Sequence, residues 1–135
     1  MLKIPKIIYE EMVSHARKAF PLECCGLLAG KDGKITRHYP MTNTDQSKIS
    51  YLMDPREQFQ VFKEIRGLGI DLLGIYHSHP KHPAYPSQTD VRLAFYPDAT
   101  YYILSIQDQE QDPEMRGFRI VQEVIEEVPY SITEE

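Results

Sequence analysis

Leu72-Leu73-Gly74-Ile75-Tyr76-His77-Ser78-His79-Pro80 is the stretch on which the fold turns. Its first five residues are a continuous apolar run of strand length, the pattern of a strand covered on both faces. In extended chain, residues two apart share a face, so His77 and His79 present two imidazoles to one side while Ser78 faces the other. Two histidines at the exit of a buried strand make half of a metal site.

The other half has to come from nearby. Zinc takes about four ligands, with N or O donors at ~2.0–2.2 Å, and a catalytic site draws three of them from protein. The loop from Pro80 to Tyr85 lets the chain turn back, and Ser87 restarts a helix whose first turn holds the Asp90 carboxylate. Ser87-Gln88-Thr89-Asp90 is also a capping box, so both residues have a purely structural reading beside the ligand reading. A His-x-His pair alone is weak evidence, since histidines that end a buried strand are often only hydrogen-bonded structure.

Working outward, Ile4, Ile8, Met12 and Ala16 recur every four residues, with Ile7 and Phe20 beside them and Pro5 near the start, which predicts an amphipathic helix ended by Pro21. Residues 23–29 and 34–39 read as strands joined in a hairpin by Gly30-Lys31-Asp32-Gly33. Residues 49–53 read as a strand. Asp54-Pro55-Arg56-Glu57 then combines an N-cap, proline at the first helical position and a capping acid. That helix is expected to bury Phe59, Phe62 and Ile65 and to close near Gly67-Leu68-Gly69. Beyond the histidines, a helix from Ser87 carries Val91, Ala94 and Phe95, residues 101–106 and 115–121 form strands around a polar hairpin, and 124–132 adds an edge strand. No repeat or linker divides the chain, so residues 1–135 read as one domain of the α/β class.

Composition narrows the function. With 135 residues, 41% of them hydrophobic and 26% charged, the chain has ordinary globular proportions. A formal net charge of -5 and no basic patch exclude nucleic acid as the natural partner. The start lacks the roughly 7–15 apolar residues of a signal peptide, and no stretch approaches the ~20 that span a bilayer, so no membrane role and a cytoplasmic location are expected. Cys24 and Cys25 are adjacent and cannot tie distant elements together, which suits a reducing compartment. They read as core packing rather than as nucleophiles.

Glu23 stands out differently, because burying an unpaired carboxylate costs several kcal/mol and a glutamate among apolar strand residues therefore suggests function. His15 and His38 have no partner at ligand spacing and read as ordinary polar residues, and His82 as a solvated loop residue.

Taken together, these residues resemble the JAMM, or MPN-plus, metalloproteases of the Mov34-like superfamily, whose signature is a distant Glu followed by H-x-H-P-x6-S-x-x-D. Glu23 lies in Pro21-Leu22-Glu23-Cys24-Cys25-Gly26-Leu27-Leu28-Ala29-Gly30, similar to the family's first motif, and His77, His79, Pro80, Ser87 and Asp90 fall at the family's spacing. The resemblance implies that His77, His79 and Asp90 bind one zinc ion per chain, that Glu23 takes the proton of the attacking water, and that Ser87 steadies the oxyanion. It also implies a curved mixed sheet flanked by helices, related to the cytidine-deaminase architecture, although the deaminase ligands H-x-E and P-C-x-x-C are absent. The implied activity is hydrolysis of an amide at the C-terminal tail of a ubiquitin-like or sulfur-carrier protein, of the minimal prokaryotic type and with a homodimer left open. A non-catalytic scaffold of the same fold is the competing reading, and retention of the whole ligand set argues against it. One departure is Ile75, where the family often carries Trp.

Overall fold

The computed structural model describes residues 1–134, so the last residue of the expected domain lies outside the described residues. In chain order the elements are β1 (Leu2–Pro5), α1 (Lys6–Ala19), β2 (Cys25–Lys31), β3 (Lys34–Met41), α2 (Pro55–Gly67), β4 (Asp71–His79), α3 (Gln88–Arg92), β5 (Thr100–Ser105), β6 (Glu114–Val121), β7 (Val124–Val128) and β8 (Tyr130–Thr133).

The strands form one mixed eight-stranded sheet in the order β7-β6-β5-β4-β2-β3-β1-β8. β4 pairs with β5 in parallel, as β1 does with β3 and β8, and the remaining pairs are antiparallel. β7 and β8 hold opposite edges, yet only Pro129 separates them in sequence, so the sheet curls until its edges approach. The Tyr130 hydroxyl accordingly donates to the Met115 carbonyl on β6 at 2.7 Å, and its ring meets Tyr102 of β5 edge-on. The single edge strand expected over 124–132 is thus two strands, because Pro129 has no N–H to continue a ladder.

α1 covers one face, burying Ile8, Met12 and Ala16 against Leu28, Tyr76 and Leu104. Each large apolar side chain so buried contributes roughly 1.5–3 kcal/mol. Ile4 belongs to β1 rather than to the helix, and Ile7, turned about 100° from Ile8, is exposed. α2 and the segment around α3 cover the other face, where Phe62, Val91 and Ala94 pack on Leu27, Ile75 and Tyr101.

Several local expectations meet the structure directly. Asp32 and Gly33 take positive φ in the β2–β3 turn. Asp54 caps α2 by accepting from the Arg56 N–H, and Gly69 closes it at φ 69°. Others are corrected. Glu57 does not complete a capping box, since its carboxylate takes the Thr42 N–H and hydroxyl instead. Phe59 is 61% exposed and Phe95 is 69% exposed, the latter because α3 ends at Arg92. Residues 49–53 form no strand, only one bridge from Met53 to Asn43, because side-chain hydrogen bonds replace a ladder there. Among the described residues no helix is long and apolar enough to cross a membrane.

Candidate metal centre

β4 runs through the middle of the sheet, between β2 and β5, and its last turns carry the histidines on the face opposite α1. Ser78, pointing the other way, is buried and accepts the Cys24 N–H at 2.8 Å, which locks β4 to the chain just after Glu23. Tyr76 sits on that same far side, where its ring occupies the space that a side chain at Gly26 would need.

His77 and His79 are 1% and 3% exposed, and their Nε2 atoms stand 3.1 Å apart. Asp90 Oδ2 lies 3.0 Å from His79 Nε2 and 3.2 Å from His77 Nε2. A tetrahedral ion with ligands at ~2.0–2.1 Å sets its donors about 3.3 Å apart, so these three atoms already outline one face of such a site. They form the one metal-ligating cluster among the described residues. His79 Nδ1 donates to the Pro83 carbonyl at 2.8 Å, which turns the lone pair of Nε2 toward the cluster.

The capping box and the cluster coexist. Ser87 Oγ accepts the Asp90 N–H at 3.1 Å, while Asp90 Oδ2 accepts the Ser87 N–H at 2.9 Å. Asp90 is thereby oriented by its own helix start before any ion is considered. Ser87 stands at the exposed rim.

Charge follows from burial and neighbours. Burial raises the Asp90 carboxyl, but hydrogen bonds from His77, His79 and the Ser87 N–H outweigh it and hold the group well below the usual carboxylate range. Burial depresses His77. It acts the same way on His79, where Asp90 and Pro83 prevail and raise the ring. Glu23, 2% exposed and just ahead of β2, is pushed up to about 8 by burial, with His79 drawing it down and Asp90 pushing it up. Its Oε1 is buried with no hydrogen-bond partner.

His77, His79 and Asp90 therefore meet at one point, Ser87 is one hydrogen bond from it, and Glu23 lies in electrostatic reach of His79 and Asp90. The remaining candidates fall outside. His15 Nδ1 and His38 Nε2 both meet the Tyr76 hydroxyl, at 2.7 and 2.6 Å, on the far face of the sheet. His82 is exposed, and burial raises the Cys24 thiol to about 11 against a weaker pull from Ser78. One residue was not legible in the sequence. Tyr51 stacks on His77 with centroids 4.7 Å apart and planes at 29°. It comes from a loop with no motif, so no spacing rule could have placed it there.

Residues 5–121 match the family described as prokaryotic homologs of the JAB domain. A CysO-cysteine peptidase from Mycobacterium tuberculosis is 40% identical over 137 residues, spanning 100% of this chain and 93% of that protein. A desampylase from Haloferax volcanii is 36% identical over 103 residues, covering 71% of this chain and 74% of that protein. Among solved structures, a protein from Desulfitobacterium hafniense superposes with a TM-score of 0.89 at 42% identity, over 100% of this chain and 94% of that one.

Proposed function

The chain belongs to the prokaryotic homologs of the JAB domain, and from that premise we propose that it is a zinc-dependent peptidase or isopeptidase. Its substrate is an amide at the C-terminal tail of a ubiquitin-like or sulfur-carrier protein. The carrying observation is the convergence of His77 Nε2, His79 Nε2 and Asp90 Oδ2 within 3.2 Å of one another, in electrostatic reach of a buried Glu23. The donor set fits zinc: two imidazoles and one carboxylate, with donor spacings close to those of a tetrahedral site.

His77, His79 and Asp90 would hold the ion. When bound, zinc supplies Lewis acidity, polarising the amide carbonyl and making water acidic enough to attack near neutral pH. Glu23, a buried carboxyl in electrostatic reach of the cluster that a bound cation would hold ionised, takes a proton from the attacking water and delivers it to the leaving amine. Ser87 receives the Asp90 N–H on an oxygen lone pair, which leaves its O–H hydrogen to donate to the developing oxyanion.

The substrate class rests on the relatives, named as a CysO-cysteine peptidase and a desampylase. Two buried free thiols agree with a reducing, cytoplasmic setting.

The test is direct. Purified protein is incubated with a carrier protein bearing a C-terminal cysteine adduct and, separately, a lysine isopeptide, each with and without chelator. Glu23→Ala with zinc retained should abolish hydrolysis of the preferred conjugate. Undiminished cleavage by Glu23→Ala, or by the chelated protein, overturns the proposal.

A further inference from the structure

The two imidazoles of the metal cluster are oriented by different means. His79 is held by a hydrogen bond from Nδ1 to the Pro83 carbonyl. His77 Nδ1 is buried with no partner, so no hydrogen bond behind the ring sets its plane. What lies against that ring is the face of Tyr51.

The chain on both sides of Tyr51 is gripped by Asn43, beside Thr44, whose N–H and hydroxyl donate to the Leu52 carbonyl at 2.8 and 2.9 Å. Asn43 Nδ2 donates to the Glu23 carbonyl at 3.0 Å and to the Ser50 carbonyl at 3.1 Å, and its Oδ1 accepts the N–H groups of Asp45 and Leu52, both at 3.0 Å. An asparagine offers two donor hydrogens and two acceptor lone pairs, and here all four are used. The contacts to Ser50 and Leu52 grip the peptide groups on either side of Tyr51. The contact to Glu23 anchors that grip to the residue before the Cys24–Ser78 lock. The Glu23 N–H also goes to the loop, to the Ser47 carbonyl at 2.8 Å, so both main-chain groups of Glu23 are satisfied by residues 43–50.

We propose that Asn43 is a positioning residue of this site: it ties the 43–52 loop to the Glu23 main chain and thereby lays Tyr51 over His77, setting the plane of that imidazole. The link to hydrolysis rests on the function proposed above, whereas the link from Asn43 to the His77 ring does not, and the two are tested separately.

The first test needs neither metal nor substrate. In the metal-free protein with labelled histidine, the ring-carbon proton of His77 lies in the ring current of Tyr51. Asn43→Ser has one donor hydrogen where the amide has two and cannot serve the Glu23 and Ser50 carbonyls together, so it should displace that resonance in the same direction as Tyr51→Leu. The double variant should add little, and Tyr51→Phe, which keeps the ring, should restore the position. A folded Asn43→Ser protein whose His77 resonance stays in place overturns the proposal. Should Asn43→Ser not fold, amide exchange in the unaltered protein decides, because the Leu52 N–H has the Asn43 oxygen as its acceptor. Protection of about tenfold or more supports the tether, and exchange at the rate of free chain overturns it.

The second test joins the tether to the chemistry. Zinc affinity, read by chelator competition, should fall about 10- to 100-fold in both Asn43→Ser and Tyr51→Leu, the usual loss when a ligand loses its orienting partner. Unchanged affinity together with a displaced His77 resonance overturns the positioning role while leaving the proposed hydrolysis intact.

Discussion

His77 and His79 turn their Nε2 atoms toward each other at 3.1 Å across one face of β4, and Asp90 Oδ2 closes the triangle. Without an ion, at least one proton has to sit between these atoms. Burial resists charge on His77, so the pair cannot both protonate at low cost. A divalent cation satisfies all three donors at once.

Zinc should therefore stabilise the fold. At a free concentration a thousandfold above its dissociation constant, it adds about 4 kcal/mol, which for a domain of this size raises Tm by about 10 °C. Calorimetry of the chelated and zinc-loaded protein measures this, and Asp90→Ala should remove most of the difference.

Glu23→Gln should lower kcat by about 10²–10⁴-fold while zinc remains bound. It should also change the pH profile of the metal-free protein. The Glu23 carboxyl is raised from 4.5 to about 8, so its contribution is fully present below 4.5 and is lost as pH rises through 8. Urea unfolding of metal-free wild type between pH 5 and 8 should show stability falling relative to Glu23→Gln, with the gap widening toward pH 8.

Ser87 carries two duties that substitution can separate. Ser87→Ala loses the helix cap, at about 1 kcal/mol, together with the hydroxyl donor. Ser87→Gly costs the cap only a few tenths of a kcal/mol and removes the hydroxyl without supplying another donor. It should nearly keep Tm and still lower kcat by about 10²-fold, as removal of an oxyanion donor does. Thermal melts beside steady-state kinetics distinguish the two.

On the other face, the Tyr76 hydroxyl is shared by His15 and His38. Burial lowers both rings, His38 against an opposing hydrogen bond that its Nδ1 donates to Glu11. Groups depressed in the folded state contribute stability above the unfolded value of 6.5 and lose it as pH falls through their lower folded values. Wild-type stability should decline relative to His15→Gln as pH falls from 7 toward 5. Tyr76→Phe should cost about 1–3 kcal/mol by leaving two half-buried ring nitrogens without this partner.

Much of the site was written in local spacing. The two-residue step in β4 puts His77 and His79 on one face, and the three-residue step from Ser87 to Asp90 makes both a capping box and an oriented ligand. The turn at Asp32-Gly33 and the cap at Asp54 were legible for the same reason, since each depends on a few adjacent dihedrals. Phe59 misled because helical periodicity shows which residues share a stripe but not whether the sheet extends far enough to cover it. The 49–53 segment misled because strand propensity is outweighed by the four hydrogen bonds of Asn43.

By itself, then, the sequence determined the donor types, their order and the family to which the chain belongs, because covalent geometry sets which side chains share a face over two or three residues. Tertiary structure alone decided that β7 and β8 close opposite edges, that Glu23 comes into electrostatic reach of His79 and Asp90 from the segment ahead of β2, and that Tyr51 covers His77. Those meetings join residues far apart along the chain, and packing of the curled sheet, not any local rule, brings them together.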